Sequence, residues 1–534
     1  MKNMILILGL LLFSDALFAQ QAPIWSSSLN SNFDWYMRDT PSLKINGSGD
    51  IIMVGNVLNE FTGKDVLVAR YTSDGDIVWT VHFNSSGTQD DEALDFAIDT
   101  EDGILITGRT VVDSANTDLL VLRIDANGDL QWVQYFDGVA SREDVGQAIT
   151  VDASGAAYIA GYTTVDDLGH RKLLVYKVDA MGVASWDHQY GSETEGSYHG
   201  QKISLIGESI HVIGNYIGPS LLNQLHTLHL DMNGSLEFSN YSELIRPPSC
   251  YHQDEFGNSY LGFGAWERFK VMKFNSSGVE LWRDTIGTNM PPNHTGDEIQ
   301  AIVVDESQNV YVTGRHYGSD FDGPTFTNSD IMTVKYSADG TRIWVRRYDH
   351  LGFNAGDIAN AIALDEELNV YVAGYSQGST IGTDYDYVVV KYAPDGTEVG
   401  VIRYDSGDDD AVWSIVVDEN GSIYVTGLTF EEALSNTTTQ KYDAIRLGME
   451  VRSLAGSVQS HPNPFTGSTV ISFDDPINEL LHFQLLDAVG KVMFESSLSG
   501  DRIVIDGGAL EPGQYIGVLR GQQKHGVVRI IRIQ

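Results

Sequence analysis

Along most of this chain, hydrophobic and polar residues alternate in short runs that are broken by turn-forming residues. Around Gly161 the runs are Ala148–Val151, Ala157–Ala160, Leu173–Val178 and Val183–Tyr190. A period of two, rich in β-branched and aromatic residues, marks strands with one face more buried than the other. Between the first two runs stands Asp-x-x-Gly or its Asn variant. Between the last two stands a pair such as Asp74-Gly75, Asn127-Gly128 or Asp339-Gly340. These residues tolerate positive φ and close antiparallel hairpins. Each group of four runs therefore predicts a four-stranded antiparallel sheet.

The group recurs along the chain. Clear copies span Gln147–Gly191, Gln300–Tyr348 and Asn360–Tyr404. A glycine closing the second run sets the register, at Gly55, Gly108, Gly161, Gly214, Gly264, Gly314, Gly374 and Gly427, in steps of 53, 53, 53, 50, 50, 60 and 53 residues. Eight such copies predict an all-β chain whose main domain is an eight-bladed β-propeller with four-stranded blades. Most copies carry a tryptophan four residues after the turn glycine: Trp79, Trp132, Trp186, Trp282 and Trp344. Phe238 takes that place in the fourth copy and Gly400 in the seventh. The tryptophans read as blade-to-blade packing, each contributing about 2–3 kcal/mol when buried. The eighth copy runs through Tyr424–Gly427 and Asp443–Leu447 and then loses the pattern without a fourth strand. An orphan run at Pro23-Ile24-Trp25 supplies the missing strand, so the ring is expected to close through the N-terminus and lose an exposed edge.

Asn309-Val-Tyr-Val-Thr-Gly314 followed by Asp330–Tyr336 resembles a family of bacterial β-propeller repeats, with a consensus near D-x-x-G-N-x-Y-V-x-G…D-x-x-V-x-K-Y-x-x-x-G-x-x-x-W. The resemblance covers residues 22–450 and is weakest over Gln201–Trp282. It implies the fold and an extracellular setting; the family carries no single activity.

The ends of the chain read differently. Lys2, the apolar run Met4–Phe13 and the small Ala19 predict a signal peptide over residues 1–19, too short to span a membrane. No other segment is long and apolar enough for a span. Residues 20–450 form the propeller and 451–460 a linker. Residues 461–534 hold short strands at Thr469–Phe473, His482–Leu486, Lys491–Glu495, Tyr515–Leu519 and Val527–Ile533, which predict a small C-terminal β-sandwich. The ordered set Pro462-Asn-Pro-Phe465, Leu486-Asp487, Gly490-Lys-Val492 and Leu510-Glu-Pro-Gly-Gln-Tyr515 resembles the C-terminal sorting domain of the type IX secretion system of Bacteroidetes. The tail Arg529–Gln534 departs from it by lacking the lysines that commonly end such tags. The resemblance implies the type IX machinery as a partner of residues 461–534, and a secreted or outer-cell-surface location.

Charge narrows the partners. The 534 residues carry 73 acidic and 33 basic side chains, a formal net charge of −40. Phosphate backbones need a basic footprint, so nucleic acid is excluded. From His461 onward there are 8 acidic and 6 basic residues, so the acidity belongs to the repeats. One cysteine, Cys250, rules out an intramolecular disulfide, and the residue reads as a small buried side chain.

No catalytic motif stands out: His-Glu-x-x-His, Gly-x-Ser-x-Gly and a phosphate-binding glycine loop are all missing. His226 and His229 are three apart on a strand and so face opposite sides. Asp320-Phe-Asp322-Gly323 lacks the ligand spacing of a calcium loop. Quinoprotein dehydrogenases share the Gly-x-x-x-Trp spacing of Gly128–Trp132 and Gly340–Trp344, but the threonine usual before that glycine and the vicinal cysteines are absent.

One acidic pattern repeats. Asp91, Asp144, Asp297, Asp357 and Asp410 each stand eight residues before a first-turn aspartate. If the strand they open lines a central channel, they form a partial ring at its mouth, a candidate site for calcium or a cationic ligand. The competing reading is that each organises the turn entering its own strand through backbone hydrogen bonds. Together these features favour a surface binding or scaffold module with an unidentified glycan or protein ligand. The alternative is an extracellular polysaccharide or peptide hydrolase with its site at the channel mouth.

Overall fold

The computed structural model describes residues 23–443 other than 31–40, 86–88, 114–115, 193–195, 219–222, 245, 265–268, 287–296, 318–328, 351–355, 378–384 and 432–433, and beyond them the strands and a few neighbouring positions between 452 and 532. The signal-peptide segment, Asp320–Gly323 and the Pro462–Phe465 motif lie outside the described residues. The described secondary structure is strand throughout, in two compact units, Met1–Asp443 and Ala444–Gln534.

In the first unit the strands pair within each copy as antiparallel meanders. The third copy is typical: Asp144–Val151, Ala157–Thr164, Arg171–Val178 and Ala184–Tyr190 pair in sequence order. Six sheets have four strands. A seventh has eight, because a single parallel bridge, Arg171 to Ser197, joins the third and fourth meanders.

The recurring glycine has a backbone cause. In six copies the first strand carries a β-bulge, at Leu94, Gln147, Gln201, Gln300, Asn360 and Trp413. The bulge turns a carbonyl onto the second strand. A Cβ on Gly108, Gly161, Gly314, Gly374 or Gly427 would lie 1.8–2.0 Å from the oxygen of Glu92, Val145, Glu298, Ile358 or Ala411. No side chain fits there. The first and fifth copies pair without a shift. In the fifth, the position three after the core tyrosine Tyr260 is Phe263, buried at 1% exposure. The register glycine expected at Gly264 is thus one residue out of place, and the absence of a bulge is what lets Phe263 stand there.

The first turn is built on a side-chain stack. Asp152 Oδ1 accepts from the amides of Ser154 and Ala156, and Tyr158 donates its hydroxyl to Asp152 Oδ2 at 2.9 Å. Tyr260–Asp254, Tyr311–Asp305, Tyr371–Asp365 and Tyr424–Asp418 repeat the bond. A lysine from the third strand (Lys177, Lys273, Lys335, Lys391, Lys441) lies 4.7–5.2 Å over each tyrosine ring, a cation–π contact beside a carboxylate. The fourth copy replaces tyrosine and lysine with His211 and His229, whose ring centroids are 3.9 Å apart.

The tryptophans latch each meander to the next. Trp79, Trp132, Trp186, Trp282 and Trp344 cover the turn glycines Gly128, Gly182, Gly234, Gly340 and Gly396 of the following copy. Four of them donate their indole N–H to a carbonyl of that turn, those of Ala126, Ala180, Ala338 and Pro394, at 3.0–3.1 Å. Trp25 does the same for the first copy: it covers Gly75 and donates to Ser73 O at 3.2 Å.

Trp25 opens the strand Trp25–Asn30, which pairs antiparallel with Leu434–Tyr442 and completes the eighth meander as its fourth strand. The third strand of that copy is therefore Leu434–Tyr442, not Asp443–Leu447. Hydrophobic patterning misses it because its buried residues are polar. Thr437, Thr438, Thr439 and Gln440 are almost wholly enclosed. They are satisfied across the sheet, as in Thr429 Oγ1 to Thr438 Oγ1 at 2.7 Å and Thr426 Oγ1 to Thr439 Oγ1 at 3.1 Å. The first copy also packs on the eighth: Leu43, Met53 and Tyr71 share a core with Tyr424 and Val416, and Leu43 N donates to Ser414 Oγ at 3.1 Å.

The second unit has a five-stranded and a three-stranded sheet. The segment 451–460, expected as linker, contributes two of these strands. Arg452–Ser453 pairs with Lys524–Arg532, and Val458–His461 pairs with Ser468–Phe473. Arg502–Asp506, absent from the expected strands, pairs with Ser468–Phe473.

Candidate functional site

Four of the repeated aspartates open the first strand of their copies, and Asp297 stands one residue before its own. Asp91, Asp144, Asp357 and Asp410 are fully buried. Each carboxylate accepts from the backbone of the loop that arrives from the preceding copy: Ser85 N at 2.7 Å, Gly138 N at 2.5 Å, His350 N at 3.2 Å and Ser406 N at 2.7 Å. A hydroxyl from the second strand or the loop adds a bond in each: Thr110 and Ser85 to Asp91, Thr163 to Asp144, Ser376 to Asp357 and Ser406 to Asp410. Asp297 instead lies 3.2 Å from Nδ1 of the buried His316, which holds the position of Ser376. Burial raises the carboxyls of Asp91 and Asp144 above the usual range, that of Asp357 to about 6 and that of Asp410 to about 7.

Further acids from the preceding copy gather at these junctions. Asp118 and Asp137 stand near Asp144, Asp330 and Asp349 near Asp357, and Asp386 and Asp405 near Asp410. Cations differ between them. Arg347 contacts Asp330 and lies 3.9 Å from Asp349, and Arg403 donates to Asp386 at 2.6 Å. At the junction of the second and third copies the matching residue is Tyr135. Burial, reinforced by Asp137 and Asp144, pushes Asp118 up to about 6. Among the described residues, Asp330, Asp349 and Asp357 can bring one oxygen each within 4.8 Å of one another. The Arg347 guanidinium already occupies that charge.

A ladder of ion pairs runs over the first three copies. Lys64 meets Glu92 at 3.0 Å, Glu92 meets Arg109 at 2.7 Å, Arg109 meets Glu143 at 3.5 Å, and Glu143 contacts Arg171. Burial raises the Glu92 carboxyl, but Lys64 and Arg109 outweigh it and hold the group below its ordinary range. Arg171 lies 4.4 Å over Tyr162, whose ring is 4.5 Å from His199.

The bulge residues form a second set that the repeat consensus hides. Five of the six follow the repeated aspartate by three positions, as in Asp144-Val-Gly-Gln147 and Asp410-Ala-Val-Trp413; before Gln201 that place is taken by Tyr198. A bulge residue has no partner across the ladder and is aimed independently of the pleat. Leu94 is exposed, while Gln147, Gln201, Gln300, Asn360 and Trp413 are half-buried. Asn360 Nδ2 donates to Val412 O at 2.8 Å. Trp413 falls outside the Gly-x-x-x-Trp spacing, a signal in the sequence that it is no latch.

His226 and His229 do face apart: His226 stacks on Tyr241, and His229 lies against His211 and Phe238. Burial lowers His226 to about 4, so it is neutral at physiological pH. Burial raises the Cys250 thiol to about 12, which suppresses thiolate chemistry.

A family model described as beta-propeller repeat matches residues 131–169 and 343–382, and one described as secretion system C-terminal sorting domain matches residues 459–534. The chain carries both modules: propeller repeats and a type IX export tail. Among curated proteins it is 20% identical over 468 residues to an uncharacterized WD repeat-containing protein, L264, of Acanthamoeba polyphaga mimivirus, covering 70% of this chain and 32% of that protein. The chain thus spans about a third of that relative's length. Similar solved structures include Drosophila Plexin A in complex with Semaphorin 1b (TM-score 0.41, 9% identity, 79% of this chain and 87% of that one). Others are PorZ, a surface component of the type-IX secretion system of Porphyromonas gingivalis (0.19, 9%, 93% and 87%), and YCF48 bound to D1 peptide (0.36, 12%, 66% and 93%). Among the described residues no helix is long and apolar enough to cross a membrane.

Proposed function

We propose that the eight copies are the blades of a closed propeller, exported by the type IX route, that binds an extracellular ligand at the mouth of its channel. Closure is supported by Trp25, which repeats at the first copy the latch made elsewhere between successive copies. The bond from Leu43 N to Ser414 Oγ, between the first strands of copies one and eight, supports it as well. The observation that carries the binding reading is the bulge set. The backbone device repeats in six copies while the residue it presents changes from leucine to amide to tryptophan. A scaffold is held constant and its displayed groups diversify, as in binding surfaces. Among the bulge residues no carboxylate pair is placed for general acid and base catalysis, which favours binding over hydrolysis.

The buried aspartates serve this scaffold by fixing the loops between blades, a reading supported by their backbone donors. Titration of the chain lacking residues 1–19 with calcium to millimolar levels should leave its melting temperature unchanged; a rise of several degrees would revive the cation site. A panel of glycans and peptides, screened for binding and for cleavage, tests the function itself. Retention without turnover is the expected result, and turnover would overturn the binding reading.

A further inference from the structure

At the junction of the seventh and eighth copies three aromatic side chains come together from neighbouring sheets. Trp413 is the bulge residue of the eighth copy's first strand; Tyr375 and Tyr385 come from the second and third strands of the seventh. The Tyr375 and Trp413 ring centroids are 6.4 Å apart at 58°, and Tyr375 and Tyr385 are 5.2 Å apart and nearly perpendicular. All three are half-buried and keep part of their surface exposed. Their surroundings are polar and hydrogen-bonding. Asp409 Oδ1 accepts from Tyr385 N at 3.0 Å, Gln377 Oε1 accepts from Gly356 N at 3.3 Å, and Asn360 donates to the carbonyl just before Trp413. Trp25, Trp79, Trp132, Trp282 and Trp344 place their indole N–H on a carbonyl of a neighbouring turn; the enclosed Trp413 Nε1 has no acceptor among the described residues.

The equivalent junction between the third and fourth copies is built otherwise. Its tyrosine, Tyr162, is covered by the Arg171 guanidinium and His199. At the seventh copy Tyr385 holds the position of Arg171, and Trp413 that of Gln201. Charge has been replaced by ring faces. Aromatic faces bordered by amide and carboxylate groups suit a ligand that has apolar C–H faces and equatorial hydroxyls. Such a ligand stacks on the rings and bonds to the amides at its rim. The net charge of −40 repels anionic ligands.

We propose that Trp413, Tyr375 and Tyr385 form a platform for a neutral sugar ring. This names the ligand class of the binding reading above and rests on it. The test uses the chain without residues 1–19 on an array of neutral gluco-, manno-, galacto- and xylo-oligosaccharides beside uronic-acid and sulfated ones, with calorimetric titration of each hit. Neutral oligosaccharides should bind. Trp413→Ala and Tyr385→Ala should each weaken binding about tenfold or more, while Tyr241→Ala, on the outer strand of the fourth copy, leaves it intact. Tyr385→Ala removes a rim side chain and keeps the test valid should Trp413→Ala lower the melting temperature. Neutral-sugar binding unaffected by both variants overturns this platform and leaves a sugar-binding propeller. Retention of anionic sugars or peptides alone overturns the sugar class while the binding reading stands. Cleavage of a bound sugar overturns the binding reading itself.

Discussion

Gly161 and Trp132 show two kinds of residue constraint. The glycine periodicity was legible in the sequence, but its cause was not, because a bulge is a backbone event on the neighbouring strand. A Cβ at Gly161 would sit 1.9 Å from Val145 O, so Gly161→Ala must move backbone against backbone. We expect a loss of about 1–3 kcal/mol in urea unfolding; a change below a few tenths would show that the bulge is dispensable. Phe263 marks the limit of sequence reading: without a bulge the glycine rule lapses, and the nearby Gly264 imitates it. Trp132 was legible in both place and role, since a fixed offset from a turn glycine has few causes other than a repeated contact. Its indole covers Gly182 and bonds to Ala180 O at 3.1 Å. Trp132→Ala should cost about 3–5 kcal/mol, and Trp132→Phe, which keeps most of the apolar cover but not the N–H, should cost less. Equal losses would mean the hydrogen bond contributes little. Asp144 was legible as a repeated acid, but open rim and buried loop anchor give the same spacing. Its carboxylate is enclosed and accepts from Gly138 N, and burial is not written in an eight-residue interval.

The elements differ in how openly the chain announces them. Strands with alternating apolar residues were readable almost to their ends. Leu434–Tyr442 was not, because its enclosed threonines bond to one another across the sheet instead of presenting apolar surface. The same strand explains Gly400. Each latch tryptophan covers the third-to-fourth-strand turn of the next copy. Among the described residues the eighth copy has no such turn, since its fourth strand comes from the N-terminus, which fits the glycine at the seventh copy's latch position. Trp25–Asn30 thus closes a gap that the eighth copy cannot close by itself. Removing Gln21–Ser26 should lower the melting temperature by several degrees or more, and Trp25→Ala by a smaller amount, because it keeps the ladder from Ser26 to Asn30. An unchanged midpoint after the deletion would sink the closure proposal. The bulge residues belong to this scale too: Leu94, Gln147 and Trp413 look unrelated until the strand register places them at one equivalent site.

For the molecule as a whole, acidity is the dominant constraint, and the blade junctions show where it costs stability. Burial, the largest cause at each, pushes Asp118, Asp330 and Asp357 to about 6 and Asp410 to about 7. Their ordinary value is 3.8, which the unfolded chain retains. Between about pH 4 and 7 the native state therefore holds more protons than the unfolded one, and stability must rise as pH falls through that window. The opposite holds for Glu92 and Asp152, which their partners keep below the ordinary range. They contribute stability above about pH 4 that is lost under stronger acid. The two groups together place the stability maximum on the acid side of neutrality. We expect a higher melting temperature near pH 5.5 than near pH 7.5, followed by a fall below about pH 4. General self-repulsion of a chain with net charge −40 has the same sign, so a variant must separate the two effects. Asp410→Asn keeps an oxygen for the Ser406 amide and removes one titrating carboxyl of the total. If buried junction acids set the slope, the variant should gain stability at pH 7.5, gain little at pH 5.5, and flatten the profile between them. If diffuse repulsion sets it, the wild-type slope should collapse in half-molar salt, where the Debye length is only about 4 Å, and Asp410→Asn should leave it unchanged.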